Sequence, residues 1–435
     1  MTQQERIKTL LSIAHRKHTC GDLAEAELLY REIILADPLE PQVKNHLGFL
    51  LQQTNRLSEA FEQITAALTI NSQHSEWHFN LGIVLSKQGY VCDAITAFTN
   101  AIALDSEKYY YWTNLGINFE KNLEIAHAEE CYKRASKINP DIPDAFYLLA
   151  ALCLKLERFP EARHFNYCGI ITEPPDKQSK ILRGQAYFEL GRVDEAIALL
   201  KNWLLAEPDH AVALHLLDAY QGKDLPDRCS IQYIELTFDD FASTFENTLK
   251  RLNYCGPDLV RVYLSSLNLQ YASLYVLDLG CGTGLLGDIL KPYANRLVGV
   301  DLSQAMLNLA IEKQLYHHLK KSDITDFLIK SPDTYDLITC MDTFIYLGRL
   351  DEIFTLILQR LKVGGHFLFS TEKVNGTNAN DYQLNISGRF SHHNDYLITI
   401  LKNTGFIIND ISDVEIRKES GCPILGQFVC ATRIQ

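Results

Sequence analysis

The run Val276-Leu-Asp-Leu-Gly-Cys-Gly-Thr-Gly284 places three glycines two residues apart at the end of an apolar, strand-like segment. Glycine lets the backbone pass close to a ligand and take dihedrals that other residues avoid. A helix over Leu285–Leu290, expected behind the turn, would offer unpaired N–H groups at its start. The spacing is not that of the dinucleotide fingerprint, whose third glycine would fall on Leu285. Asp301 closes a second apolar run, Val298-Gly-Val-Asp301, and its carboxylate suits the two hydroxyls of a ribose. Asp323, after Lys320-Lys-Ser, falls at an expected third strand end, where a carboxylate can accept from an adenine amino group. Asp342 ends Tyr335-Asp-Leu-Ile-Thr-Cys-Met-Asp342, and Leu361-Lys-Val-Gly-Gly365 turns into a fifth strand. This chemistry is that of a nucleoside with an adjacent small group, with no demand for a diphosphate.

Such residues must be held by a sheet. Apolar runs at Leu274–Leu279, Arg296–Asp301, Thr334–Cys340 and Gly365–Thr371 alternate with helical stretches. That alternation predicts a mostly parallel sheet with helices on both faces. Every acidic residue singled out falls at a strand end on one edge of that sheet, where open α/β folds bind ligands. Helices are expected over Asp240–Leu252 and Asp258–Leu267, and a final strand pair over Phe406–Glu415 and Gln427–Ile434.

From about Tyr233 to Arg433 these motifs, in this order, resemble the class I S-adenosylmethionine-dependent methyltransferases, above all the ubiquinone/biotin-biosynthesis-like branch. The resemblance implies a three-layer α/β/α Rossmann-like domain with a mostly parallel seven-stranded sheet and a reversed final strand. It implies S-adenosylmethionine as cofactor and S-adenosylhomocysteine as product. Carried onto this chain, Asp278 and Gly280 face the amino-acid part of the cofactor, and Cys281, Gly282 and Gly284 shape the turn. Asp301, with Leu302 beside it, holds the ribose; Met306, Asp323 and Ile324 meet the adenine; Cys340 and Met341 meet the methionine end. Asp342 stands at the mouth of the acceptor pocket, and the segment from Phe238 to Phe245 lids the cofactor.

For the acceptor side, the insertion Tyr382–Tyr396 offers Arg389 as a two-point clamp for a carboxylate. It also offers His392 or His393 to take a proton near neutral pH. The pair His317-His318 reads as surface or packing, and no metal site is indicated, because adjacent residues on a regular element do not point together. The acceptor class stays open between a small molecule and a side chain on a bound peptide. The competing class of function is a non-catalytic, cofactor-binding adaptor.

The first half follows different rules. From Ile7 to His210 six units of 34 residues run without a gap. Small residues recur at position 8 (Ala14, Gly48, Gly82, Gly116, Ala150, Gly184) and alanine at position 20 (Ala26, Ala60, Ala94, Ala128, Ala162, Ala196). Proline takes position 32 in four units, at Pro38, Pro140, Pro174 and Pro208. Small residues where two helices cross and proline where the second must stop predict helix pairs stacked into an α-solenoid. This pattern resembles the tetratricopeptide repeat family, which implies a groove that binds protein or peptide. Repeat five departs from it with Gly169 at position 27. Asn80 and Asn114 share position 6 and are candidates to read a peptide backbone, although His46 and Leu148 hold that position elsewhere. The expected division is a repeat domain over 7–220 with a closing helix at Ala211–Tyr220, a linker over 221–228 and a methyltransferase domain over 229–435.

Composition agrees with two soluble domains. The 435 residues are 47% hydrophobic and 22% charged, and no apolar run reaches the roughly 20 residues of a membrane span. Net charge is -13, which disfavours a nucleic-acid surface. The 11 cysteines form no CxxC pair and suit single thiols in a reducing, cytoplasmic compartment. The start of the chain lacks the basic-then-apolar order of a secretory signal.

Overall fold

The structure is a computed structural model that describes residues 3–222, 226–267, 269–374, 380–419 and 421–434. It divides into two compact units, Met1–Lys177 and Gln178–Gln435.

The first unit holds five helix pairs: α1 (Gln3–Thr19) with α2 (Leu23–Ala36), α3 (Pro41–Gln53) with α4 (Leu57–Ile70), α5 (Ser75–Gln88) with α6 (Val91–Leu104), α7 (Tyr109–Lys121) with α8 (Ile125–Ile138), and α9 (Asp144–Lys155) with α10 (Phe159–Thr172). The small residues at position 8 are explained by the closeness of the pairs. A Cβ on Gly82 would lie 2.6 Å from the Phe98 ring, and one on Gly116 would strike Tyr132 in the same way. The alanines at position 20 are buried, with Ala60, Ala94 and Ala128 wholly inside. Gly169 has a local reason as well: the Tyr147 ring occupies the space a side chain there would need, and its hydroxyl donates to Glu173 at 2.9 Å.

A second 34-residue signal emerges only in three dimensions. Asp37, Asn71, Asp105 and Asn139, each just past the second helix of a pair, accept from the backbone N–H two residues on (Leu39, Gln73, Glu107 and Asp141) at 2.9–3.2 Å. A short polar side chain here makes an Asx turn that satisfies a donor left over where the helix stops. The two asparagines proposed for the groove are otherwise engaged. Asn80 donates to Asn45 Oδ1 at 3.2 Å, and Asn114 donates back to the Tyr110 carbonyl at 2.8 Å.

The second unit opens with the sixth pair, α11 (Lys180–Glu189) and α12 (Val193–Ala206), and the closing helix α13 (Ala211–Gln221). Of the expected linker, Lys223–Leu225 lie outside the described residues. Next come α14 (Ile231–Phe241), a 3-10 turn (Ala242–Thr244), α15 (Phe245–Arg251) and α16 (Gly256–Ser266). The single helix expected over Asp240–Leu252 is therefore broken at its start, where Phe238, Phe241 and Phe245 turn toward one cavity.

The strands are β1 (Leu274–Leu279), β2 (Ala294–Asp301), β3 (His318–Lys321), β4 (Tyr335–Cys340), β5 (Leu361–Lys373), β6 (Tyr382–Leu384), β7 (Phe390–His392), β8 (Phe406–Glu419) and β9 (Cys422–Arg433). Parallel pairing joins β3-β2-β1-β4-β5; β9 then runs antiparallel beside β5 and pairs with β8. These are the seven strands expected, with the last one reversed. The insertion adds two more, because β7 pairs with the end of β5 at Glu372–Lys373 and β6 folds back on β7. Alternation sorts β1 between two cores. Leu277 and Leu279 join Ile324 and Phe327 of α19 (Ile324–Lys330), Phe354 of α20 (Asp351–Arg360) and Leu397 of α21 (Asn394–Thr404). Val276 joins Val260 and Leu264 of α16 and Ile289 of α17 (Gly287–Leu290) on the opposite face. The helix behind the glycines is only α17, with Leu285 and Leu286 in the turn, and α18 (Gln304–Glu312) follows β2.

The sixth pair has a core in common with the sheet domain. Ala196, Leu200, Leu216 and Tyr220 pack in one cluster with Tyr233 and Ile234 of α14 and with Leu384 and Phe390 of the β6–β7 hairpin. The chain after the expected linker is also tied down. Asp227 accepts from Gly348 N–H (2.8 Å), Arg349 N–H (3.0 Å) and the Tyr382 hydroxyl (2.8 Å).

Candidate active site

The strand order turns the acidic motifs into a row. Along one edge stand the ends of β3 (Asp323), β2 (Asp301), β1 (the glycine turn) and β4 (Asp342), and a single cavity of about 270 Å³ runs past all four.

Gly280, at φ +69°, follows β1, and the space beside its Cα is filled by Thr343 from the end of the neighbouring β4. Gly282, at φ +53°, has only Phe245 within reach, at 3.8 Å, so the turn presents bare backbone to the cavity. The Asp301 carboxylate is set from behind: Oδ2 accepts from Gly282 N–H and Oδ1 from Ser303 N–H, each at 2.8 Å. Burial pushes its pKa up, against these N–H groups. Both oxygens keep acceptor capacity, which fits a pair of vicinal hydroxyls.

Asp278 is almost fully buried and accepts from the Thr339 hydroxyl (2.7 Å) and the Tyr316 hydroxyl (2.6 Å). Burial outweighs these bonds and raises its pKa to about 6. Asp323 caps α19, accepting from Thr325 and Asp326 N–H at 3.0 and 3.2 Å, while its other oxygen pairs with Arg228 at 2.5 Å. Burial opposes ionisation, but Arg228 and the helix N–H groups hold this carboxyl below its usual range. Arg228, a residue that sequence reading did not single out, thus occupies one oxygen of this carboxylate.

Polar anchors pin the α14–α15 segment over the cavity. Asp239 accepts from Ser303 Oγ at 2.5 Å, and Glu246 takes Thr283 Oγ1 at 2.7 Å and Lys313 Nζ at 2.6 Å. Phe238 and Phe245 then form an apolar cover, together with Phe241. Cys281, Leu302, Met306, Ile324 and Met341 also line the cavity. Gly284 and Cys340 stand behind its lining, Gly284 against Tyr316 and Cys340 wholly buried.

At the β4–β5 end two arginines meet three carboxylates. Arg417, 2% exposed, pairs with Asp342 (3.0 Å), Glu419 (2.8 Å) and Glu372. Arg389 pairs with Glu419 at 2.5 Å and has Nε 2.9 Å from Glu372. The clamp expected of Arg389 is therefore turned inward, onto the protein's own carboxylates. Asp342 sits at φ +53°, an uncommon conformation for a residue with a side chain.

The histidines do not join the site. His392 is fully buried in β7, bonded through Nε2 to the Gly348 carbonyl at 3.0 Å. Burial drops its pKa to about 4, so it is neutral core. His393 precedes α21 with a buried, unbonded Nε2 and is likewise outside the cavity lining. The strand register explains the outcome: β7 is buried on both faces, so its histidine cannot reach solvent or ligand. His317 accepts from Leu297 N–H at 2.8 Å, and His318 starts β3 exposed. Among the described residues no cluster of His, Cys, Asp or Glu could hold a metal ion, and no helix is long and apolar enough to cross a membrane. All 11 cysteines are free.

Residues 276–365 match the methyltransferase domain family, and residues 113–166 and 178–210 match tetratricopeptide repeat families. A ubiquinone biosynthesis O-methyltransferase of Coxiella burnetii (strain Dugway 5J108-111) is 30% identical over 141 residues, covering 31% of this chain and 59% of that protein. Its counterpart from Aliivibrio fischeri (strain MJ11) is 28% identical, covering 31% and 60%. This chain thus spans about three fifths of the relatives it matches. Among solved structures, magnesium protoporphyrin IX methyltransferase from Synechocystis PCC 6803 with bound SAH is 18% identical, covering 46% of this chain and 98% of that one, with a TM-score of 0.35. The chain thus contains segments that match tetratricopeptide repeats, followed by a segment that matches a methyltransferase domain and is similar, over 31% of the chain, to bacterial ubiquinone biosynthesis O-methyltransferases.

Proposed function

We propose that the chain is an S-adenosylmethionine-dependent methyltransferase whose cofactor lies along the β3–β2–β1–β4 edge. One observation carries this reading: a single cavity gathers, in strand order, an acidic helix cap, a carboxylate held by its own glycine turn, bare backbone, and a charged cluster. In this reading Asp323, Ile324 and Met306 hold the adenine and Asp301 with Leu302 the ribose. Asp278, the glycine turn and Met341 hold the methionine end, and Asp342 faces the acceptor.

When bound, S-adenosylmethionine supplies a methyl group already activated on a sulfonium sulfur. The chain's own residues need to bind, orient and exclude water. Asp301 is preorganised for this by its two backbone bonds, so it loses little freedom when hydroxyls arrive. The phenylalanines of the α14–α15 segment keep water from the reacting end. The repeats act in this proposal as a protein-binding module, the acceptor being a small molecule or a group on a bound peptide.

Calorimetric titration of the full chain with S-adenosylmethionine and with S-adenosylhomocysteine tests the proposal. Both are expected to saturate, and absence of binding at millimolar ligand rejects it. A hydrogen bond to a charged group is worth about 1.5–3 kcal/mol, so Asp301→Ala is expected to weaken both ligands by about 10- to 100-fold. Unchanged affinity would remove the carboxylate from the ribose.

A further inference from the structure

Granted that reading, the acceptor lies against the charged cluster at the β4–β5 end. There Asp342, Glu372 and Glu419 stand against Arg389 and Arg417, leaving one negative charge in excess within the ion-paired set. All three Arg417 nitrogens already have carboxylate partners, so that guanidinium is not free for an incoming anion. Two phenols face the same space. Tyr254 and Tyr346 line the cavity close enough to Asp342 and Arg417 to feel their charges, and neither hydroxyl has a hydrogen-bond partner among the described residues. Phenol oxygens and spare carboxylate lone pairs are acceptors for N–H groups.

We propose that the methyl acceptor is an amine nitrogen, seated between the Tyr254 and Tyr346 hydroxyls and the Asp342–Arg417–Glu419 cluster. The alternatives fit poorly. A carboxylate acceptor would bring a further negative charge against a cluster that already has one in excess, a costly arrangement away from water. A hydroxyl acceptor must shed its proton to a base. His392 is out of reach, and Arg389 and Arg417 hold the Glu419 carboxyl below its usual range despite its burial. An amine arrives as an ammonium ion, held by the cluster, and gives one proton to water before it reacts, a loss open to an ammonium near neutral pH and closed to an alcohol. The lone pair of the neutral amine then forms the nitrogen–carbon bond, the carbon–sulfur pair stays with sulfur, and the remaining protons stay on the product ammonium. Positive charge moves from sulfur to nitrogen, and a cluster of net negative charge at the nitrogen stabilises that movement.

The probes are three compounds with one ring, namely benzylamine, benzyl alcohol and benzoate, titrated into the full chain saturated with S-adenosylhomocysteine. Saturation by S-adenosylhomocysteine is itself the control. If it fails, the methyltransferase reading falls; if it holds, the three probes test the acceptor alone. Benzylamine is expected to bind at least about tenfold tighter than either oxygen compound, the equivalent of one modest ion pair. Glu419→Gln and, separately, Asp342→Asn are expected to erase that preference and leave S-adenosylhomocysteine affinity within about twofold. Two variants are used because either alone disturbs an ion-pair network; folding of each is read from the retained S-adenosylhomocysteine binding. A preference for benzyl alcohol or benzoate, or no discrimination among the three, overturns the proposal. So does a preference for benzylamine that survives both substitutions.

Discussion

Asp278 is the residue whose energetics follow most directly from its surroundings. Its carboxyl normally ionises near 3.8 and in the fold near 6, because burial disfavours the charge more than the Thr339 and Tyr316 hydroxyls favour it. The difference of about two pH units corresponds to about 3 kcal/mol. Below about pH 4 the group is protonated folded or unfolded and contributes nothing. Between 4 and 6 the folded chain keeps a proton that the unfolded chain has lost, so stability falls as pH rises, by about 1.4 kcal/mol per unit. Above 6 the full penalty stands. Asp278→Asn cannot ionise, and its amide can still accept from Thr339 while donating to the Tyr316 oxygen. The variant is therefore expected to match the parent at pH 4 and exceed it by about 1–3 kcal/mol at pH 8. Urea unfolding followed by tryptophan fluorescence measures this, with Trp77 and Trp112 changed to phenylalanine so that Trp203 of α12 reports the second unit. Other titrating groups, Asp301 included, cancel in the difference. Parallel pH curves for parent and variant would refute the buried-charge argument. The gain has a functional counterpart: the same substitution is expected to weaken S-adenosylmethionine, whose ammonium the carboxylate would face.

Three further outcomes follow from particular contacts. Gly82→Ala places a methyl 2.6 Å from the Phe98 ring and is expected to cost about 1–3 kcal/mol from overpacking, less about 1 kcal/mol gained in helix propensity. Gly184→Ala, at the same repeat position, meets nothing nearer than 3.5 Å and is expected to stabilise by about 1 kcal/mol; equal effects in thermal unfolding would contradict the packing. A chain beginning at Gln178 is expected to bind S-adenosylhomocysteine like the full chain, whereas one beginning at Cys229 lacks half of the cluster under α14 and is expected to lose affinity or solubility, as calorimetry on both will show.

What sequence reveals here depends on range. The places of the glycine turn, Asp301 and Asp323 on the cavity are readable because each is set by neighbours within a few residues and by the end of one strand. The repeat is readable because the same helix contact recurs every 34 residues. The charged cluster is not, since Arg417 meets Asp342 across 75 residues and Glu372 across 45, and no local pattern links them. His392 misleads for a related reason. A histidine pair in a polar, aromatic insertion looks available until β7 is seen to pair with β5 and bury it. Arg228 and Tyr254 carry no motif at all; only the closing of α14–α15 and the start of α16 over the cavity brings them to it. The Asx positions are a different case. Asp37, Asn71, Asp105 and Asn139 are plainly periodic, but the chemistry of Asp and Asn is shared only once the backbone turn is known.

The closing helix bears on the charged cluster at the β4–β5 end more directly than a spacer would. His215 of α13 bonds through Nε2 to the Gly388 carbonyl at 2.8 Å, and Cys229 Sγ lies 3.3 Å from the same nitrogen. The Tyr233 ring of α14 lies tilted against His215, centroids 4.2 Å apart, and its hydroxyl fills the space beside the Gly388 Cα. Gly388 is the residue before Arg389, whose guanidinium completes the charged cluster. A donor is needed at His215 Nε2 for the carbonyl bond, and burial lowers the pKa of this imidazole, so the neutral tautomer with its proton on Nε2 satisfies both. The hairpin tip is thereby gripped between α13 and α14, the helix that covers the cavity. A shift of α13 must move Gly388 or break its bond, and a moved Gly388 carries Arg389, the next residue, with it. The closing helix thus reaches the charged cluster through Gly388 and Arg389, although none of its described residues lines the cavity.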